Sequence, residues 1–257
     1  MKRLAMLVAC AMVIVSPTLT AVAADTLLVA GGTGRTGQQV VRQALEQGYE
    51  VRVLTRDAAR ARELFGDRVV AVEGDVRNPA TLTTALDGAR YVISTVGSNS
   101  RRDPTNTPEA VDYRGVRALV QAAQAAGVEQ FVLVSSMGVT RITHPLNRFL
   151  DNVLLWKALG ENALRFSGLP YTIVRPGGLT DEAGGTAGLR TGQGDTMAEG
   201  RIPRADVAAV CLAALGNPAA LEKTVEIIAD PALERVDPAG LFAPLAVDDK
   251  RTLGSEG

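Results

Sequence analysis

The sequence predicts an α/β fold: a doubly wound parallel sheet forming a single domain, with a small irregular C-terminal substrate lobe. Three observations predict it. First, a short apolar run, Leu27-Leu28-Val29-Ala30, ends in a glycine-rich turn that opens at once into a segment with helical spacing. Second, short β-rich runs alternate with helix-patterned segments joined by short links, as in a parallel sheet covered on both faces. Third, the chain has 257 residues, 46% of them apolar, and a formal net charge of −1. That composition suits one large globular domain and lacks the basic excess of a nucleic-acid binder.

The turn is the most informative stretch. Gly32, Gly34 and Gly37 stand as G-x-G-x-x-G between a strand and a helix, the dinucleotide-binding fingerprint of a Rossmann fold. On this reading Gly32 permits the tight turn, Gly34 lets backbone approach a pyrophosphate, and Gly37 lets the helix pack close to the strand. Thr33, Arg35 and Thr36 complete the turn, and the helix N-terminus attracts the phosphates. Val40, Val41, Ala44 and Leu45 mark the buried helix face, and Gly48 its stop. A plain structural turn is the alternative for a lone glycine motif; the strand before and the helix after favour a nucleotide site.

The remaining elements follow in order. Residues 50–55 read as a second strand, 57–65 as a short Ala/Arg-rich helix and 69–73 as a third strand ended by Gly74-Asp75. Asn78 caps a helix through Leu86, with Gly88 as its stop. Strands are predicted over 91–96, 131–135, 171–174 and 225–228, and helices over 111–126, 146–166 and 205–215. Residues 177–200, rich in Gly and Thr, are predicted as an irregular, mobile substrate lobe. The domain is expected over 25–230, followed by a tail, 231–257, with three prolines and scattered charge, expected to be partly disordered.

Residues 1–24 carry a different signal. Lys2 and Arg3 precede a 12-residue apolar run from Leu4 to Val15, which Ser16-Pro17-Thr18 breaks before small residues to Ala24. This is the layout of an export signal peptide, with cleavage after Ala23 or Ala24, and the bacterial periplasm is the expected compartment. An uncleaved membrane anchor and a misplaced start codon are the alternatives; a lipobox-like match at Cys10 is read as chance. After cleavage only Cys211 remains, so no intramolecular disulfide can form. One histidine and one mature cysteine make no metal site.

The cofactor preference is read at the end of the second strand. NAD-binding turns place an acid there; this chain has Thr55-Arg56, and Arg35 adds a second guanidinium. Two arginines suit a 2′-phosphate, so NADP is favoured, with NAD possible through Asp57 one place later. Arg35 and Arg56 as solvated surface charges are the bland alternative. Asp75 and Val76 follow the third strand, where an adenine edge would lie, and Val96-Gly97 closes the fourth beside the nicotinamide ribose.

The stretches AGGTGRTG, GDVRNPATL, VDYRGVRALVQAAQAAGVEQFVLVSSMGV, LRFSGLPYTIVRPGGL and RIPRADVA, in this order, resemble the atypical short-chain dehydrogenase/reductase superfamily. The chain is most similar to its NmrA-like, NAD(P)-binding branch, which includes flavin/biliverdin reductase-type enzymes. The resemblance spans about residues 26–230. It implies catalytic roles for Ser135, Ser136 and Lys157: the serines toward a substrate carbonyl, the lysine on the nicotinamide ribose. It places Pro176 and Gly177 in the loop beside the nicotinamide. One departure stands out: catalytic members carry Tyr four residues before that lysine, and here the position is Val153. A flavin-type acceptor, which takes its proton from solvent, would tolerate the loss. Tyr113 and Tyr171 read as packing residues, Trp156 as core and His144 as an exposed loop histidine. Lys157 lies on an apolar stripe near the sheet, with an i,i+4 pair to Glu161 as the alternative.

The expected function is therefore an NADP-dependent oxidoreductase passing hydride to a small flavin/quinone-like or carbonyl acceptor. Against it stands a non-catalytic NAD(P)-binding sensor or assembly factor, which Val153 favours. A sugar-nucleotide epimerase or dehydratase is weaker, because the chain is short for the second lobe those enzymes need.

Overall fold

The computed structural model describes residues 24–250. The predicted export segment, Ala24 apart, and the last seven residues of the predicted tail lie outside the described residues.

An eight-stranded sheet forms the centre. Its strands are β1 (Thr26–Ala30), β2 (Glu50–Thr55), β3 (Val69–Glu73), β4 (Tyr91–Ser94), β5 (Gln130–Val134), β6 (Tyr171–Pro176), β8 (Gly188–Gly192) and β10 (Lys223–Asp230), in the order β3-β2-β1-β4-β5-β6-β10-β8. All neighbours are parallel except β8, which runs antiparallel along β10. Two further strands, β7 (Gly178–Thr180) and β9 (Arg201–Pro203), pair with each other beside the sheet.

Side chains alternate along β1. Leu27 and Val29 pack with Val40, Val41 and Ala44 of α1 (Arg35–Glu46), Ala61 and Phe65 of α2 (Ala58–Phe65), and Val207 and Val210 of α7 (Arg204–Ala214). Leu28 and Ala30 face the opposite layer, formed by α3 (Leu82–Leu86), α4 (Val116–Ala125) and α6 (Val153–Arg165). Burial on both faces explains why the strands read as nearly continuous apolar runs.

The structure revises five expectations. The segment predicted as irregular, 177–200, contains β7 and β8 and leads into β9; these strands are three to five residues long, too short to show alternation. The helix predicted over 111–126 begins as a π-helical turn (Glu109–Gly115) before α4. The helix predicted over 146–166 is two helices, α5 (Pro145–Phe149) and α6, separated by Asp151 and Asn152 at φ 48° and 58°. Short polar side chains tolerate that left-handed conformation better than most residues. The tail through Lys250 packs onto the domain rather than leaving it: Leu241 and Phe242 are buried in the α1/α7 layer. Asn78, predicted as a cap, makes no side-chain capping bond; its carbonyl accepts from the Thr81 amide at 3.0 Å instead.

Candidate functional site

Strand order reverses at β1, whose neighbours β2 and β4 lead to opposite halves of the sheet. Beyond the C-terminal ends of these strands lies a cavity of about 330 Å³, where parallel α/β folds bind ligands. Of the predicted residues, Thr33, Gly34, Arg56, Asp75, Val76, Val96 and Gly97 line it.

The turn is suited to an anion. The first intrahelical amide bond of α1 is Gln38 N–H to Gly34 O at 2.8 Å, so the amides before it point beyond the helix end. No side chain caps this N-terminus, and no acid lies in its first turn. The left-handed turn residue is Gly31, at φ 79°, and not Gly32. Gly32 is required for packing instead: a methyl there would sit 2.8 Å from Val53 Cγ1. Gly37 keeps its predicted packing role, since a methyl would overlap the Gly31 carbonyl oxygen. The adjoining G-G doublet was the available signal for Gly31.

Arg56 lines this cavity and the space beside it, where Arg77 and Asp103 also stand; its guanidinium is 3.6 Å from Asp103, a loose pair. Arg102 and Asn106 join the wall from the loop after β4, where no motif marked them. Arg35 is not brought into the cavity. It projects from the first turn of α1 and donates to Asp181 at 2.7 Å, which also accepts from Arg204 at 2.6 Å. Asp57 does line the cavity, and it also caps α2 by accepting from the Arg60 amide at 2.8 Å. Asp75 is clamped by Arg77. Partial burial pushes its carboxyl up, but the Arg77 hydrogen bonds overcome this and hold it below the usual carboxylate range. Thr36 and Gly37 lie behind the turn, outside the cavity wall.

A narrow cleft adjoins the main cavity through Val96 and brings Ser135 and Lys157 together with Asp112. Lys157 Nζ donates to Asp112 Oδ1 at 2.7 Å, and the Asp112 side chain is fully buried. The alternative i,i+4 pair to Glu161 does not form. Glu161 is buried between Arg165 and Arg175, which donate to it at 2.9 and 2.7 Å. Burial pushes the Glu161 carboxyl up, but the two guanidiniums outweigh it and hold the carboxyl below its ordinary value. Ser135 Oγ is buried beside the Glu161 carboxylate, which its hydroxyl also helps to hold down. Sequence reasoning missed Asp112, whose role depends on the π-helical turn.

Past this cleft lies a chamber of about 500 Å³ lined by Ser136, Arg141, His144, Pro176, Gly177 and Arg201, among others. His144, expected to be exposed, has a mostly covered side chain here. Neither remaining tyrosine near the site replaces the hydroxyl absent at Val153. Tyr113 stacks on Trp156 at 6.0 Å, so that pair is a partly exposed ring stack rather than core. The Tyr171 hydroxyl donates to Asp248 at 3.0 Å, and burial pushes its phenol far above its ordinary value.

A family model described as NAD(P)H-binding matches residues 31–218, which include the turn, the cleft and most of the chamber. The chain belongs to this family. Sanguinarine reductase of Eschscholzia californica is 32% identical over 229 residues, covering 74% of this chain and 84% of that protein. Protein TIC 62, chloroplastic, of Oryza sativa is 37% identical over 233 residues; the match takes in 80% of this chain but 46% of that longer protein. Among solved structures, the anaerobillin reductase ChuY of Escherichia coli superimposes with a TM-score of 0.68 at 27% identity, covering 82% of this chain and all of that one. Proteins similar to this chain thus include reductases, and the chain lies within the atypical short-chain dehydrogenase/reductase superfamily.

Proposed function

We propose that this chain is an NADP(H)-dependent oxidoreductase that passes hydride to a small conjugated carbonyl, quinone or flavin-like acceptor. The observation that carries the reading is the succession of three spaces along the strand ends. An uncapped helix N-terminus opens on a 330 Å³ cavity, a lysine–aspartate pair follows in the cleft, and a 500 Å³ chamber lies beyond. A nicotinamide nucleotide supplies hydride when bound. Gly31, Thr33 and Gly34 would hold its pyrophosphate, with Gly32 and Gly37 packing the turn behind them. Arg56 would meet a 2′-phosphate, Asp75 and Val76 the adenine edge, and Val96, Gly97 and Lys157 the nicotinamide ribose. Ser135, Ser136, Pro176 and Gly177 would border the acceptor where it meets the reactive ring. Arg35 could take part in phosphate binding only by leaving Asp181.

A second reading, a nucleotide sensor or assembly factor, is favoured by one observation: Val153 offers no proton and both nearby tyrosines are engaged elsewhere. The two readings part on turnover. Purified protein mixed with NADPH and a panel of quinones, flavins and aldehydes is expected to oxidise cofactor. Binding without oxidation across the panel would support the sensor.

Export to the periplasm rests on residues 1–24 alone. Among the described residues no helix is long and apolar enough to cross a membrane. Fractionation of a bacterial host, with the mass of the recovered chain, tests for cleavage near Ala23 or Ala24; a full-length chain held in the membrane fraction would show an anchor instead.

A further inference from the structure

The chamber has five polar side chains with distinct states. Ser136 Oγ donates to the Met137 carbonyl at 2.9 Å. Arg141 bridges the Asp195 and Met197 carbonyls at 2.8 and 3.0 Å. Glu199 extends into solvent, 84% exposed. Arg201 has no hydrogen-bond or ion-pair partner among the described residues. His144 is the best defined. Its Nδ1 accepts from the Leu146 amide at 3.2 Å, capping α5, so the neutral ring carries its proton on Nε2. The ring lies against the backbone of Gly138, where a methyl would approach Cδ2 to 3.1 Å, and Gly138 N–H is fixed on Asp195 at 2.6 Å. Nε2 is 3.9 Å from Glu199, beyond hydrogen-bond reach. The chamber wall therefore offers two uncommitted donors: the His144 Nε2–H and the guanidinium of Arg201, an exposed residue at its rim.

We infer that these two groups bind the carbonyl oxygen of the acceptor, and that the acceptor is a planar, uncharged quinone-type compound rather than an organic cation. The inference rests on the oxidoreductase reading and specifies its substrate class. When a quinone takes up hydride, the displaced electron pair moves to its oxygen, which becomes an oxyanion, and the nicotinamide is left oxidised. Two donors from one chamber wall that reach that oxygen would be worth more as its charge develops. Water then supplies the proton, so the chain needs no tyrosine at position 153. His144 acts here as a hydrogen-bond donor through Nε2, while its Nδ1 accepts from the Leu146 amide. Charges facing this imidazole from neighbouring segments are Glu199, Arg141 and Arg201; the Asp195 carboxylate is committed to Gly138 and Thr140. The unpaired guanidinium of Arg201 would repel a cationic acceptor.

The test is direct binding of 1,4-naphthoquinone to the purified chain by calorimetry, with and without saturating NADP⁺. The wild type is compared with Arg201→Gln and His144→Asn; asparagine can still cap α5 but cannot reach as far into the chamber. Each variant is expected to bind the quinone about 10-fold or more weakly, with NADP⁺ affinity within about two-fold of wild type and an unchanged melting temperature. A planar phenanthridinium cation is expected to bind wild type more weakly than the quinone does. Equal quinone affinity in all three proteins, no quinone binding by the wild type, or tighter binding of the cation overturns the inference. Variant-sensitive quinone binding without any NADPH oxidation overturns the oxidoreductase reading and leaves the oxygen site standing.

Discussion

Arg56 and Arg35 were equivalent in the sequence and are not equivalent in space. Arg56 is held loosely, 3.6 Å from Asp103, and lines the nucleotide cavity, whereas Arg35 is engaged by Asp181. Arg56→Asp is expected to weaken NADPH binding by about 2 kcal/mol, because a charge-assisted contact becomes a repulsion. NADH binding should change far less, and parallel titrations with the two nucleotides check this. Arg35→Ala should leave both affinities within about two-fold, since its guanidinium is exposed and turned towards Asp181. Gly37 is a purely steric case. Gly37→Ala would drive a methyl into the Gly31 carbonyl, and a loss of about 1–3 kcal/mol is expected from overpacking, read in a urea melt.

The elements that position the site are those whose irregularity the sequence concealed. The π-helical turn over 109–115 carries Asp112, and α6 crosses it so closely that a methyl on Gly160 would overlap the Asp112 carbonyl oxygen. That close crossing brings Lys157 to Asp112. Apolar periodicity marked a helix on both sides, but periodicity does not distinguish an α-turn from one widened by a residue. Gly160→Ala is expected to push the two helices apart and raise the Kd for NADPH about 10-fold through Lys157, with the fold retained. A wild-type Kd in this variant would remove Lys157 from the site. The break between α5 and α6 was hidden for a related reason: Asp151 and Asn152 reverse the chain without the glycine or proline that usually announces an end.

Across the whole molecule, buried charge ties the tail to the chamber. Asp248 accepts from Arg165, Tyr171 and Thr224; Arg165 donates to Glu161, which also accepts from Arg175; and Arg175 lies 3.8 Å from Glu226. Glu226 accepts from the Asp195 amide, and Asp195 holds Gly138 of the chamber wall and Thr140 beside it. Burial raises the carboxyls of Glu161 and Asp195, yet guanidiniums around the first and backbone amides on the second leave both below their ordinary values. A depressed carboxyl contributes stability above its unfolded value, and that contribution is lost as pH falls through the folded value. The urea midpoint is therefore expected to be nearly flat down to about pH 5 and to fall below about pH 4. Asp195→Asn should flatten part of that acid slope. Phe242 anchors the tail in the core, so Phe242→Ala is expected to cost about 3–5 kcal/mol. Denaturation of the intact domain measures it, and a negligible loss would return the tail to the disordered state its composition suggested.

Local chemistry determined what the sequence showed by itself. Bare backbone in the glycine turn, apolar runs where strands are buried on both faces, and glycine stops after helices each act within a few residues, so the doubly wound sheet and its phosphate-binding turn were legible. The tertiary structure decided which charges meet. Arg35 belongs to Asp181, Lys157 to Asp112 and Glu161 to two arginines, and His144 lies over Gly138 with its donor facing a chamber. These partners come from separate strands, helices and loops. Their pairing depends on where the sheet brings the segments and on the cost of leaving a buried charge unpaired, neither of which local spacing records.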